Sequence, residues 1–149
     1  MTRSLSSLLS LGLLVAGCTG TRPMNLGVHD GKLSPCPASS NCVSSQSIDK
    51  EHSIEPLRYT GPPGKAMDQL TKIVNDMKRT RIVMETDGYL HAECTSALFR
   101  FVDDVEFLVD ERASIIHVRS ASRAGQSDLG VNRKRVEGIR AAMKALPLN

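Results

Sequence analysis

The 149-residue chain has no tryptophan, two tyrosines and three phenylalanines. So few rings exclude a base-stacking platform for single-stranded nucleic acid. Charge of one sign is also lacking. The formal net charge is +3, and without Arg3 there remain 18 basic against 16 acidic residues, a net of about +2. That excess is too small to neutralise a run of backbone phosphates, so nucleic acid is not an expected partner. Long apolar runs are scarce: the one candidate, between Leu5 and Val15, falls short of the about 20 residues that span a bilayer. There is no internal repeat, no nucleophile-elbow motif and no metal-binding helix motif.

What the chain does have begins at its amino terminus. Arg3, a leucine-rich stretch and then Leu14-Val15-Ala16-Gly17-Cys18 read as the leader and lipidation site of a bacterial lipoprotein. Residues 1–17 form the expected signal peptide. Ala16 and Gly17 suit a peptidase that needs small side chains, and Cys18 becomes the acylated amino terminus, with palmitate among its chains. Several chains, each contributing about 0.8 kcal/mol per buried methylene, make such an anchor effectively permanent. The rival is an ordinary signal peptide with an incidental cysteine. Thr19, not an acidic residue, follows Cys18, and this favours the outer membrane with the domain facing the periplasm. Residues 18–35 are expected to be the lipidated cysteine and a flexible polar tether, and 36–149 a single domain.

An oxidising compartment changes the reading of Cys36 and Cys42. Separated by five residues in a Pro- and Ser-rich segment, they are expected to form a disulfide that orders a segment without its own core. The alternative, a metal site, needs further ligands from His29, His52 or Cys94, which stand at no recognisable spacing, so no metal or cofactor is expected. Cys94 is left as a buried thiol on an apolar strand face.

Beyond this point the periodicities are clear. Ser53 to Tyr59 suits a short strand, and Gly61-Pro62-Pro63-Gly64 breaks the chain. Met67, Leu70, Ile73, Val74 and Met77 then line one stripe of a helix over 65–79. Strands follow at 81–86 and 89–98 around an Asp87-Gly88 hairpin turn, then at 103–110 and 114–120. A last helix, from about 132 to 146, aligns Val136, Ile139, Met143 and Leu146. The expected fold is α+β, an antiparallel sheet of about five strands with two helices on one face. The order strand, helix, four strands, helix resembles the TATA-binding-protein-like topology.

Alternation assigns Leu90, Ala92, Cys94 and Leu98, then Val105, Phe107 and Val109, then Ile116 and Val118 to the core face. The opposite face carries His91, Glu93, Thr95, Asp104, Glu106, His117 and Arg119. Pairing Phe107 with Ile116 sets Glu106 opposite His117 and Asp104 opposite Arg119. Ile82 and Met84 are expected beside His91 and Glu93. This face reads either as a solvated surface of matched ion pairs or as a ligand groove. Asp103 and Asp104, adjacent on a strand, point to opposite faces and make no acid–base pair. A second candidate lies where the last strand passes through a glycine-containing loop into the last helix. Ser127, Asp128 and Asn132 are all capable helix caps. Arg133-Lys134-Arg135 sits at the positive end of the helix dipole, where cations are disfavoured by about 0.3–1 kcal/mol each. With Arg119 and Arg123 near, either Asp103, Asp104 and Asp128 neutralise these groups internally, or an external anion binds Arg119, Arg123, Arg133, Arg135 and Asn132.

The pattern Pro35-Cys36-Pro37-x-Ser39-x-Asn41-Cys42-Val43-Ser44-Ser45 resembles the DUF1499 family. So do the block from Tyr89 to Phe107 and the stretch Arg119-Ser120-Ala121-Ser122-Arg123-x-Gly125-x-Ser127-Asp128-x-Gly130-x-Asn132-Arg133-x-Arg135. The resemblance covers nearly all of the chain after Cys18 and implies domain boundaries but no activity. Three functional expectations stand. One is a membrane-anchored domain that binds an anionic small molecule or an envelope protein. Another is a hydrolase using His91, Glu93 and His117, with Ser120 or Ser122 nearby. The last is an envelope interaction module without a small ligand.

Overall fold

The computed structural model describes residues 20–145; the leader, Cys18, Thr19 and Leu146 lie outside them. Ten elements follow in order: β1 (Val28–His29), β2 (Lys32–Leu33), β3 (Cys42–Ser44), β4 (Leu57–Arg58), α1 (Pro63–Asp76), β5 (Thr80–Thr86), β6 (Tyr89–Thr95), β7 (Val102–Asp110), β8 (Ile115–Ser122) and α2 (Val131–Ala145). The main sheet is antiparallel, runs β3-β8-β7-β6-β5, and takes β4 as a further partner of β8. The α+β architecture expected from the sequence is present, with six strands in the main sheet and a separate β1–β2 hairpin.

The helices form where the apolar stripe and the breakers dictate. Pro63 opens α1, where a missing N–H is no loss, and Ala66, Met67, Leu70, Ile73 and Val74 bury its stripe. In α2 the buried stripe is Val136, Ile139 and Met143. Both pack on Leu90, Ala92, Cys94, Val105, Phe107, Ile116 and Val118, which make one core with Leu57 and Tyr59. Phe107 is completely buried at its centre.

Three local expectations fail, each for a physical reason. The β7–β8 register pairs Phe107 with Val118 and Val109 with Ile116, so Glu106 faces Arg119 and His117 faces Leu108. A shift of two residues preserves the apolar face, so alternation alone does not choose between these registers. In β5 the register slips between Ile82 and Met84, which keeps Met84 beside His91 but turns Ile82 onto the core opposite Ala92. Leu98 lies past the end of β6 and is 79% exposed. The polar segment before Cys36 folds β1 and β2 into a hairpin, and its Leu33 is buried.

Candidate functional site

The polar face of the sheet is an ordered lattice. Tyr89, Leu108 and His117 form one row across β6, β7 and β8; His91, Glu106 and Arg119 form the next; Glu93, Asp104 and Ala121 the third. Arg123, just beyond β8, is tied to Val102 by its amide. The centre of this face is not solvated. His91, Asp104, Glu106 and Arg119 are buried, Glu106 completely.

Residues 20–35 supply part of the cover. Gly20 lies so close to Arg123 that a Cβ there would sit 2.7 Å from Arg123 Cβ. Arg22 reaches Glu93 Oε1 at 2.6 Å, and the Gly27 amide donates to Glu106 Oε1 at 2.7 Å. Leu33 N–H is taken by the side-chain oxygen of Gln46. The segment therefore lies as a strap over the sheet.

Beneath it are two ionic clusters, one around Asp104 and one around Glu106. Arg123 donates through Nε to Asp104 Oδ2 at 2.8 Å and through Nη2 to Asp104 Oδ1 and Glu93 Oε1. His91 Nε2 donates to Asp104 Oδ1 at 2.8 Å. Glu93 also accepts from Arg81 at 2.7 Å. Burial alone would raise the Glu93 carboxyl, but hydrogen bonds from Arg81, Arg123 and Arg22 hold it down at about 2. Asp104 is lowered too: burial opposes its charge, and Arg123 and His91 outweigh that. Burial pushes the Tyr89 hydroxyl well up, helped by the adjacent Glu106 to which it donates at 2.9 Å. Arg119 Nη1 meets Glu106 at 3.2 Å, while its buried Nε has no hydrogen-bond partner among the described residues.

Two of the three cations at the start of α2 are engaged from within: Arg135 meets a carboxylate, Arg133 meets carbonyls, and Lys134 is exposed. Arg135 reaches from the helix to Asp103, Ser120 and Asn132. Asn132 is buried, and its amide nitrogen donates to Asn41 O, Ser122 Oγ and Asp128 Oδ2. Asp128 caps the helix by accepting Asn132 N–H at 2.7 Å, placing a carboxylate where the dipole wants one. Arg133 donates to the carbonyls of Ser53 and Glu51. The predicted cationic group is thus divided. Arg119 and Arg123 lie on the polar sheet face, Arg135 and Asn132 on the helix side, and Arg133 against the 51–53 loop. Asp103 and Asp104 point to opposite faces and serve different arginines.

The serines proposed beside His91 lie elsewhere, since Ser120 and Ser122 bond Asn132 on the helix side. A serine–histidine contact missed in the sequence joins Ser45 and His117 instead. Ser45 Oγ is 3.2 Å from His117 Nδ1 and accepts Val118 N–H at 2.9 Å. Burial lowers the His117 pKa, against the nearby Asp110 charge, and so favours the uncharged ring. The sequence signal was Ser45 within the cysteine motif, but its partner is 72 residues away.

Cys36 and Cys42 form a disulfide with Cα atoms 5.7 Å apart, and Cys94 is a buried free thiol. Among the described residues no cluster of three or more His, Cys, Asp or Glu side chains is placed to hold a metal ion. Nor is any helix among them long and apolar enough to cross a membrane.

The family model described as a protein of unknown function, DUF1499, matches residues 32–143. The chain belongs to the DUF1499 family. Its matched span takes in the cysteine loop, the β6–β8 ionic lattice and the Asn132–Arg135 pin, so the polar network belongs to the DUF1499 region itself. The strap residues that bond Glu93 and Glu106 lie before the start of that span. Comparison with curated proteins finds no match.

Proposed function

We propose that this DUF1499 protein is an envelope lipoprotein, acylated at Cys18 and anchored in the outer membrane facing the periplasm. Its domain acts as an interaction module for an envelope partner. The observation that carries the module reading is the internal pairing of the arginines. Arg119, Arg123 and Arg135 each meet a carboxylate, and Arg133 meets two carbonyls. An anionic ligand at the start of α2 would have to compete with those partners. The anchoring reading rests on the Leu14–Cys18 motif, and the Cys36–Cys42 disulfide suits an oxidising compartment.

A second reading, hydrolysis, is favoured by one contact, that of Ser45 with His117. Among the described hydrogen bonds no carboxylate orients the other ring nitrogen, which a triad requires.

Expressed with its own leader in a Gram-negative host, the protein should enter the membrane fraction with an acylated Cys18 at its amino terminus. Mass spectrometry that finds an unmodified Cys18 would overturn the anchor. Thermal unfolding against phosphates, carboxylates and lipid headgroups tests the module. A ligand at a hundredfold excess over Kd stabilises by about 2.7 kcal/mol. No selective shift is expected. A selective shift lost in Arg133→Ala would restore the anion-binding reading, and ester turnover lost in Ser45→Ala would establish the hydrolase.

A further inference from the structure

Two of the chain's three phenylalanines are exposed at one loop. Between β6 and β7, Leu98 is 79%, Phe99 63% and Phe101 38% exposed, and the two rings meet at a tilt with 5.7 Å between centroids. The loop is firmly closed at its base. Ser96 N–H donates to Phe101 O at 2.8 Å, and Phe101 N–H donates to Ser96 Oγ at 2.9 Å. Exposed apolar side chains on a closed four-residue tip are neither core nor a frayed end. They are held out towards something.

The surroundings say what. Lys78 and Arg79 precede β5 at the same end of the sheet, and Arg79 Nε donates to Thr95 O at the base of the loop. Arg100 sits on the tip itself, and all three cations are exposed. An apolar tip ringed by lysine and arginine matches the interfacial zone of a bilayer that carries anionic headgroups. The course of the chain gives the same direction. Gly20 packs on Arg123, whose amide bonds Val102, the residue directly after Phe101. The chain therefore leaves the described fold at the end of the sheet that bears the loop. In the sequence Cys18 stands two residues before Gly20.

We propose that Leu98, Phe99 and Phe101 insert into the lipid surface, with Lys78, Arg79 and Arg100 against anionic headgroups. The domain is thereby docked end-on onto the bilayer instead of hanging from it. The direction given by Cys18 rests on the lipoprotein reading; the composition of the loop does not.

The test uses the full chain purified from membranes and reconstituted into phosphatidylcholine vesicles with or without phosphatidylglycerol. A polarity-sensitive dye is attached at Leu98→Cys or, in the β7–β8 turn at the other end of the sheet, at Arg112→Cys. Mass spectrometry reads Cys18 acylation separately. At position 98 the emission should shift to the blue, be quenched severalfold more by brominated acyl chains than at 112, and respond to phosphatidylglycerol. Substituting Phe99→Ser should reduce that quenching, with the thermal transition showing that the fold persists. An acylated protein whose two dyes are equally water-like would remove the docking and leave the anchor. An unacylated protein still quenched at 98 on anionic vesicles would keep the docking and remove the anchor. Unacylated and water-like, it would lose both. A blue shift without lipid quenching that grows with protein concentration would assign the loop to a second copy and overturn the proposal.

Discussion

Arg123 shows most directly what one residue does for the polar face. Its guanidinium, 8% exposed, holds Asp104, 1% exposed, through two nitrogens, and shares Glu93 with Arg81 and Arg22. Removing one partner of a buried pair leaves the other charge without compensation, which costs about 3–5 kcal/mol, whereas replacing both with apolar groups is often neutral. Urea unfolding should therefore show Arg123→Ala losing about that much. The double change Arg123→Met with Asp104→Leu should recover most of it; no recovery would mean the pair itself is strongly favourable. The same geometry sets an acid limb. Glu93 has its folded-state pKa depressed to about 2, so its contribution is present above the ordinary carboxylate pKa and is lost as pH falls from about 4.5 towards 2. Chemical unfolding across that range should give a slope that Glu93→Gln flattens. His52 has the opposite sign. It is buried, with Nδ1 on the Asp49 carboxylate at 2.8 Å and Nε2 on the Ser39 carbonyl at 3.2 Å. Both partners are acceptors, so the bonds favour the doubly protonated ring. Burial works against that charge, but the bonds to Ser39 and Asp49 and the nearby Glu51 raise its pKa overall. Its contribution is full below the ordinary histidine pKa of about 6.5 and disappears as pH rises through the raised value. NMR titration placing His52 below 6.5 would contradict this.

Among the elements, α2 illustrates how much a sequence declares and where it stops. Its stripe, its approximate bounds and the misfit of three cations in the first turn are all legible, because each depends on residues close together in the chain. The resolution of that misfit is legible in part: the sequence offers Asp103, Asp104 and Asp128 as internal partners beside an external anion, and in the fold Arg135 meets Asp103, Arg123 meets Asp104 and Asp128 holds the helix start. Which partner each group takes is not legible, because Asp103 is 32 residues from Arg135 and Asn41 is 91 residues from Asn132. The same distinction separates the hairpin turn at Asp87-Gly88, which is local and present as expected, from the β7–β8 register and the slip in β5, which depend on packing across strands. Asn132 and Asp128 are the residues by which α2 is seated. Asp128→Ala removes the cap and should cost about 0.5–2 kcal/mol. Asn132→Ala should cost more, because the buried Ser120 hydroxyl loses its acceptor, Arg135 loses one of its acceptors, and the Asn41 carbonyl keeps only the Ser122 amide. Thermal unfolding measures both, and equal losses would mean that capping is all Asn132 does.

Across the whole molecule, the two faces of one sheet are closed by different means. The helix side is closed by periodic apolar residues, which announce themselves in sequence. The polar side is covered in part by a strap bonded through Arg22 to Glu93 and through the Gly27 amide to Glu106, and a segment of that kind reads only as a polar spacer. The strap leads directly into the Cys36–Cys42 loop, and Cys42 pairs with Ala121 in β8, so the bridge joins the cover to the sheet it covers. His52 adds to this junction through Ser39, and Asn41 through the carbonyls of Gly125 and Ser122. Breaking a bridge over so short a loop should cost roughly 2–3 kcal/mol on the chain-entropy account. The loss should not be spread evenly. With Cys36→Ser and Cys42→Ser together, amide exchange at Gly27 and Leu33, which the strap presents to Glu106 and Gln46, should quicken well beyond the global loss. The amides of β6 and β7 should lose only what the whole fold loses. If all amides quicken by one factor, the strap is not a separable unit. In that case the ionic face of this DUF1499 protein opens only when the domain unfolds.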